Sequence, residues 1–423
     1  MTAKKPAYLR VSLFLAKMYM QIQSLRGTRS LYPKDMRKRN AFVDACRRVL
    51  ERAGYEEYEA PILEPLSLYE AKSSAEIIER QSYVFTDRGG EKIVVRPELT
   101  PSLARMIANK QGELPPLIRW YSFADCWRYE RPQKGRSRNF FQLNVDFLGS
   151  DSIESDVEAI DLALSVLEAT GLDMLKIQLR INDRASFNQV CDRLNIQEAE
   201  RGRFLTLLDE RDKLASEEFT NQIRVINSQI TPEDLKIVED IKPSARLLSI
   251  MEEVEKLGWT QLVYDPQLMR GFAYYTGMVF EVFETSGEYR RALFGGGRYD
   301  NLLQAVGGKP MSAVGFGVSD VSLFAALETQ GRAIPNVAQD KTLIIPFSKN
   351  EFDTATSVAK KLRSKDQVVV MPVPPYELKK QLSMANRIEA NTVIIIAPEE
   401  LKQGKMIEKD MLTGQQKLVE IPS

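Results

Sequence analysis

The stretch Trp127-Arg-Tyr-Glu-Arg-Pro-Gln-Lys-Gly-Arg-Ser-Arg-Asn-Phe-Phe-Gln-Leu-Asn-Val-Asp146 decides the fold. It reads as two strands joined by a short basic loop. Before the turn, alternation sets Arg128 and Glu130 on one face and Trp127 and Tyr129 on the other. After it, Phe140, Gln142, Asn144 and Asp146 share a face, while Phe141, Leu143, Val145 and Phe147 share the opposite one. Gln, Asn and Asp at alternate positions of one strand point to a face that lines a polar pocket. The loop Arg131-Pro-Gln-Lys-Gly-Arg-Ser137 adds three cations and a glycine that can bring backbone close to a ligand. The product is a sheet floor facing an anionic, planar ligand, a description that ATP fits. Taken alone, the same residues also suit an amphipathic hairpin with a solvated basic turn.

With 423 residues the chain has room for two or three domains and a large core. Lys+Arg and Asp+Glu balance at 58 each, so any nucleic-acid contact uses local patches rather than a global basic field. Cys46, Cys126 and Cys191 are far apart and lack metal-ligand spacing, which favours a reducing compartment such as the cytoplasm and no structural zinc. The chain has no histidine. Ser-His-Asp and Cys-His chemistry and His-ligated metals are thereby excluded. The remaining inventory of Arg, Lys, carboxylates and amides, with a metal carried by the substrate, suits phosphoryl or adenylyl transfer, where positioning and charge stabilisation dominate. Residues 1–26 carry five cations and no acidic residue. They read as an ordinary N-terminal extension, with an organelle-targeting peptide as the alternative.

Helical spacing runs over residues 36–53 and Asp151–Ala169, and Gly54 closes the first of these. Between them, Tyr55–Pro65 is an extended segment broken by two prolines, which belongs at an edge or a dimer interface. Strands are expected at Gln81–Arg105 around an Asp87–Gly90 turn, with a helix from Pro101, and again at Gln261–Tyr264 and Ala273–Glu284. The sequence divides into a domain over 1–332 with a mostly helical insertion at about 184–257, a linker at 333–340, and a compact α/β domain of parallel type at 341–423.

Two further stretches carry chemistry. In Met269-Arg-Gly-Phe-Ala-Tyr-Tyr-Thr-Gly277, Arg270 enters a strand whose Ala273, Tyr275 and Gly277 would share one face and leave room for a ligand. In Phe294-Gly-Gly-Gly-Arg-Tyr-Asp-Asn-Leu-Leu303, three glycines open into a helical pattern, a weak signal for phosphate or close backbone approach.

These stretches together resemble the histidyl-tRNA synthetases, a family of class II aminoacyl-tRNA synthetases. The resemblance rests on Arg26-Gly-Thr-Arg29, Ala60-Pro-Ile-Leu-Glu-Pro65, Arg96-Pro-Glu98, Arg128-Tyr-Glu-Arg-Pro-Gln-Lys-Gly-Arg136, Arg270-Gly-Phe-Ala-Tyr-Tyr-Thr-Gly277 and Gly295-Gly-Gly-Arg-Tyr-Asp300, in that order. Lys379–Asn386 and Thr413-Gly-Gln-Gln416 resemble the family's anticodon-binding domain. It implies an α+β fold: an antiparallel six-stranded class II sheet with flanking helices and a helical insertion, followed by a small α/β anticodon-binding domain. It also implies a homodimer that joins histidine to ATP, releases pyrophosphate, and passes the aminoacyl group to the 3′ end of tRNA in protein biosynthesis. Magnesium would arrive with ATP, and the sequence names no protein ligand for it.

Carried over by position, Arg128 holds the α-phosphate, Arg136 the distal phosphates, and Phe140 stacks on adenine, with Glu130 beside them in the ATP site. Arg270 and Arg128 are the catalytic cations. Glu98, Thr100, Gln142, Asp146, Arg270, Tyr274 and Tyr275 line the amino-acid pocket, where a carboxylate with a hydroxyl or amide can read a neutral imidazole. Gln133 and Arg138 face the tRNA acceptor end. The chain departs from the family pattern at Ala273 (usually Asp), Asp146 (usually Glu), Phe141 (commonly His) and Ser322 (often an ATP-clamping Arg). Those departures leave two alternatives: a paralogue that activates another amino acid, and a catalytically inactive regulatory paralogue.

Overall fold

The computed structural model describes residues 23–422 apart from 71–76, 210, 212–213, 232, 270–274, 288–291, 336–339 and 374–376. The chain divides into two compact units, residues 1–335 and 336–423.

In the first unit the chain forms α1 (Pro33–Arg52), β1 (Glu56–Glu57), β2 (Leu63–Pro65), β3 (Tyr83–Thr86), β4 (Lys92–Val95), α2 (Thr100–Lys110), β5 (Ile118–Trp127), β6 (Asn139–Leu148), α3 (Ile153–Ala169) and β7 (Ile177–Asp183). The longer helices α4 (Arg184–Arg193), α5 (Glu198–Asp209), α6 (Ser216–Ile226) and α7 (Ala245–Lys256) follow. The unit closes with β8 (Leu262–Tyr264), β9 (Met278–Glu284), β10 (Ala292–Arg298), β11 (Ala313–Ser319) and α8 (Asp320–Thr329).

The main sheet runs β1-β5-β6-β11-β10-β9-β7-β8. Every pairing from β5 to β7 is antiparallel, which gives the expected six-stranded core, and β1 and β8 each add a short parallel strand at an edge. Alternation then sorts the residues of β6 as the sequence implies. Phe141, Leu143, Val145 and Phe147 face a layer made by α1, α3 and α8. On that side Phe141 stacks on Phe123, and Phe42 of α1 meets Phe123 and Phe324 edge-on. Helix α3 lies in the middle of this layer, so it is buried on several sides (Ala159, Ile160, Ala163, Leu164, Val166, Leu167). Phe140, Gln142, Asn144 and Asp146 face the other way. There Leu99 and the α2 residues Leu103, Ala104 and Ile107 pack beside Ala124, Cys126 and Phe140.

A separate sheet, β2-β4-β3, sits at the start of the unit. Pro65 is on its edge strand β2, as a residue without a ladder N–H requires. Helices α4–α6 close a core of their own over Phe187, Cys191, Phe204, Phe219 and Leu268. The strand expected at Ala273–Glu284 begins only at Met278, and Tyr275–Gly277 form the irregular entry to it. Gly295–Gly297 differ more from expectation. They do not open a helix but lie inside β10, paired with β9 and β11.

The second unit has β12 (Lys341–Pro346), β13 (Val368–Val370), β14 (Thr392–Ile396), β15 (Lys405–Asp410) and β16 (Gln416–Glu420), with helices α9 (Phe352–Arg363) and α10 (Leu378–Arg387). Its sheet order is β13-β12-β14-β15-β16. The first three strands are parallel, as the apolar runs suggest, and β15–β16 add an antiparallel hairpin. That hairpin is polar and partly exposed, so hydrophobic pattern alone gives little sign of it. Among the described residues no helix is long and apolar enough to cross a membrane.

Candidate active site

Register explains why the sheet carries so many glycines. Gly315 pairs with Asp146 and Gly317 with Asn144, and on the next strand Gly297 and Gly295 continue the same two rows. A Cβ on Gly315 would lie 2.5 Å from Asp146 Oδ1, and one on Gly317 would lie 2.4 Å from Gln142 Nε2. The glycines therefore act as space: they let polar side chains from β6 lie down across the sheet, and a Cβ on Gly297 would meet the ring of Tyr275 at 2.9 Å. Gln142 Nε2 donates to Asn144 Oδ1 at 3.0 Å along this floor.

Asp146 is the centre of the arrangement. It is 2% exposed; one oxygen accepts from the Tyr299 hydroxyl, and the other has no hydrogen-bond partner among the described residues. Burial pushes its carboxyl up to about 7, against the lowering effect of Tyr299. The hydroxyls of Tyr58 and Ser122 are likewise buried, with no partner among the described residues. Ser122 shares the face of Asp146, two registers along β5. After burial, the Asp146 charge is the largest influence raising the Tyr58 phenol. The Tyr275 phenol is raised by burial and then by the charges of Glu98, Asp146 and Glu281. A buried acceptor ringed by hydroxyls suits a small ligand with N–H donors.

Glu98 and Thr100 stand at the entrance to α2. The Glu98 carbonyl accepts from the Tyr69 hydroxyl at 2.9 Å, and Thr100 is the first residue of the helix. Arg96, only 3% exposed, fixes this corner: it pairs with Glu59 at 2.7 Å and donates to the carbonyls of Ala60 at 2.8 Å and Asp125 at 3.2 Å.

The basic loop folds back on itself. Gln133 and Arg136 close a turn through an Arg136 N–H to Gln133 O bond of 2.9 Å, with Gly135 at φ 78°. Arg128 donates from Nε to Pro97 O at 2.9 Å, and its guanidinium lies 5.3 Å from the centre of the Phe140 ring. Arg136 pairs with Glu130 at 3.1 Å, and Arg138 stacks on Tyr129 at 3.9 Å. Gln133 is exposed at the loop tip. The strand reading of Arg128–Glu130 needs correction, because β5 stops at Trp127 and these residues belong to the loop.

Of the sequence-derived residues, Gln142 and Asp146 lie on the polar face of β6, Tyr275 lies over Gly297 in the same row, Glu98 and Thr100 lead into α2, and Arg128, Glu130, Arg136 and Phe140 belong to the β5–β6 hairpin. Arg270, Ala273 and Tyr274 lie outside the described residues. Residues that sequence reasoning did not find are Tyr299, Tyr58 and Glu281. Tyr299 directly follows the quoted Gly-Gly-Gly-Arg run, but only folding brings it to Asp146 from a separation of 153 residues. Among the described residues no group of three or more acidic, Cys or His side chains could hold a metal ion.

An antiparallel six-stranded sheet, an arginine-bearing hairpin over an aromatic ring and a polar pocket beneath it define a class II aminoacyl-tRNA synthetase. The family model described as histidyl-tRNA synthetase matches residues 27–321, and that of an anticodon binding domain matches residues 341–423. The chain belongs to the histidyl-tRNA synthetase family. It is 34% identical to the histidine–tRNA ligase of Leptospira biflexa over 93% of its own length and 94% of that protein. It is 33% identical to that of Methanocaldococcus jannaschii over 96% and 99%. The structure of histidyl-tRNA synthetase from Nostoc sp. PCC 7120 superposes with a TM-score of 0.80 at 22% identity, covering 95% of this chain and 97% of that one.

Proposed function

We propose that the chain is a histidine–tRNA ligase that makes histidyl-adenylate from histidine and ATP and then esterifies the 3′ end of tRNA(His). The observation that carries this reading is the buried Asp146 acceptor, with Tyr299, Tyr58 and Tyr275 around it, directly beside the Arg128–Phe140 hairpin. The histidine carboxylate attacks the α-phosphorus, and the bond to the pyrophosphate oxygen breaks. Arg128, anchored on the Pro97 carbonyl, meets the α-phosphate and Phe140 meets adenine; Arg136 exchanges Glu130 for the distal phosphates. Magnesium enters with ATP as part of the substrate. Asp146 and Tyr275 read the imidazole, while Glu98, Thr100, Gln142 and Tyr274 complete the amino-acid pocket. Gln133 and Arg138 face the acceptor end of tRNA, and residues 341–423 read the anticodon. The buried thiols of Cys46, Cys126 and Cys191 are in keeping with a cytoplasmic protein.

The test is ATP–pyrophosphate exchange with each amino acid in turn. Exchange should appear with histidine and fall by about 10²–10³-fold in Arg270→Ala, the magnitude expected when a cation facing developing charge is removed. Background exchange with histidine in the wild-type chain would sink the reading.

A homodimer is part of the same proposal. On the β2-β4-β3 sheet Leu63, Val84 and Phe85, and Ile62 just before it, are each more than 40% accessible, apolar surface that a second copy would cover. Sedimentation should give twice the 48.1 kDa chain mass; a single-chain mass at micromolar concentration would exclude it.

A further inference from the structure

We infer that the Gly27–Arg29 segment and Asp320 form a latch that positions the ATP-binding hairpin, with Arg29 and Asp320 as positioning residues for the nucleotide. The inference rests on the functional reading above, and it arises from hydrogen bonds that reading does not use.

Leu25–Thr28 make a tight turn, closed by a Thr28 N–H to Leu25 O bond of 3.0 Å, with Gly27 at φ 85°. The turn presents the Gly27 carbonyl to the returning limb of the hairpin. That one oxygen accepts from the Arg138 amide at 2.8 Å and from the Ser137 hydroxyl at 3.0 Å. Two residues on, the Arg29 amide donates to Asn139 Oδ1 at 2.7 Å. The segment thus grips Ser137, Arg138 and Asn139, the residues that lead into Phe140. Across the loop, the Arg128 amide donates to the Arg138 carbonyl at 2.9 Å, so the grip extends to the opposite limb.

The Arg29 side chain fastens this segment to the sheet. Its Nη2 donates to both oxygens of Asp320 at 3.0 Å, and Asp320 is fully buried. Asp320 in turn accepts the Phe141 amide at 3.0 Å, just beyond the last β6–β11 pair, Gln142 with Ser319. One carboxylate therefore links the N-terminal segment, the first residues of β6 and the start of α8. Ser322, two residues further on, caps its own turn by donating to Ser319 O at 3.1 Å. Three pieces of chain distant in sequence are thus locked together at the point where the nucleotide-facing ring emerges.

The test compares wild type with Arg29→Gln/Asp320→Asn and with Gly27→Ala. The double variant removes both charges, so no lone buried carboxylate remains. Gly27→Ala adds no charge; its Cβ would come within 2.6 Å of Pro132 and 3.1 Å of Arg138, on a backbone that disfavours side chains. Thermal melting and the KM values for ATP and histidine in pyrophosphate exchange are measured together. The latch requires the ATP KM to rise about tenfold in both variants, with the histidine KM within twofold of wild type and melting still cooperative. The Arg29→Lys variant, which keeps the charge, should recover part of the ATP KM. An unchanged ATP KM in a folded Gly27→Ala protein overturns the inference, as does an equal rise in both KM values. Absence of exchange in the wild type would instead overturn the functional reading and leave the latch to be judged by ATP titration calorimetry on the same variants, where unchanged affinity overturns it.

Discussion

Asp146→Asn is expected to lower kcat/KM for histidine by about 100-fold while making the free protein more stable at pH 8. Both effects come from one buried carboxyl. Asp146 is 2% exposed, its Oδ2 has no partner among the described residues, and burial pushes its pKa from 3.8 to about 7. The folded value lies above the unfolded one, so between about pH 4 and 7 the native state holds a proton that the unfolded chain has released. Stability therefore falls as pH rises through that window, and the deficit is fully present above about 7. A difference of about three pH units corresponds to on the order of 4 kcal/mol. Asn carries no charge, and Tyr299 can still donate to its carbonyl oxygen. Its amide NH₂ needs an acceptor, which costs about 1–3 kcal/mol. The net expectation is a melting temperature a few degrees higher at pH 8, with a smaller gap at pH 5. The lost function has the opposite sign because a carboxylate bonds an imidazole N–H more strongly than an amide oxygen does, by about 1.5–3 kcal/mol. Melting at both pH values and exchange at varied histidine check this. Wild-type histidine kinetics in the variant would remove Asp146 from the recognition role.

The same residue shows what the sequence made legible. Alternation along Phe140–Phe147 was enough to set Gln142, Asn144 and Asp146 on one polar face, because a period of two follows directly from strand geometry. The six antiparallel strands came from family resemblance, not from periodicity. Local pattern failed where meaning depends on register. Gly295–Gly297 look like a loop before a helix, since glycine has the same composition signal in both settings. Only pairing with Gly315 and Gly317 shows them to be the middle of a sheet, where a Cβ on Gly297 would meet the Tyr275 ring. Tyr58 and Tyr299 escaped notice for a related reason. A tyrosine in an extended segment has no chemistry until the fold supplies a neighbour, and theirs is Asp146. The β15–β16 hairpin was missed on other grounds, because strands with much of their surface in solvent lack the apolar run that marks β12 and β14.

Arg298→Met should destabilise the protein by about 3–5 kcal/mol, the largest stability loss expected from any single change discussed, and the loss should depend on pH. Arg298 is 4% exposed and its partner Asp156 is fully buried. Arg298 reaches one Asp156 oxygen at 2.7 Å, and Arg246 reaches the other at 2.6 Å. Arg298 also donates to Ser150 O at 3.0 Å, Ser155 Oγ at 2.8 Å and Asp300 Oδ1 at 3.3 Å. Burial already holds the Asp156 carboxyl above its usual value, with Arg298 the main influence pulling it back down. Taking Arg298 away raises that pKa further. The native state of the variant then tolerates Asp156 better protonated than charged, so the loss is largest at pH 8 and shrinks as pH falls toward 5. Arg246→Gln is the control: that side chain is 45% exposed, and its removal should cost less than about 1 kcal/mol. Function follows through the backbone. The Arg298 carbonyl accepts the Thr276 amide at 2.7 Å, and the Thr276 hydroxyl donates to Asp300 at 2.8 Å, so this network sets the residue next to Tyr275. A folded Arg298→Met protein should therefore show weaker histidine use as well as weaker stability. Urea unfolding at pH 5 and pH 8 for both variants separates the cases: equal destabilisation at the two pH values would mean that the arginine's own packing and hydrogen bonds, and not the stranded Asp156 charge, set the cost.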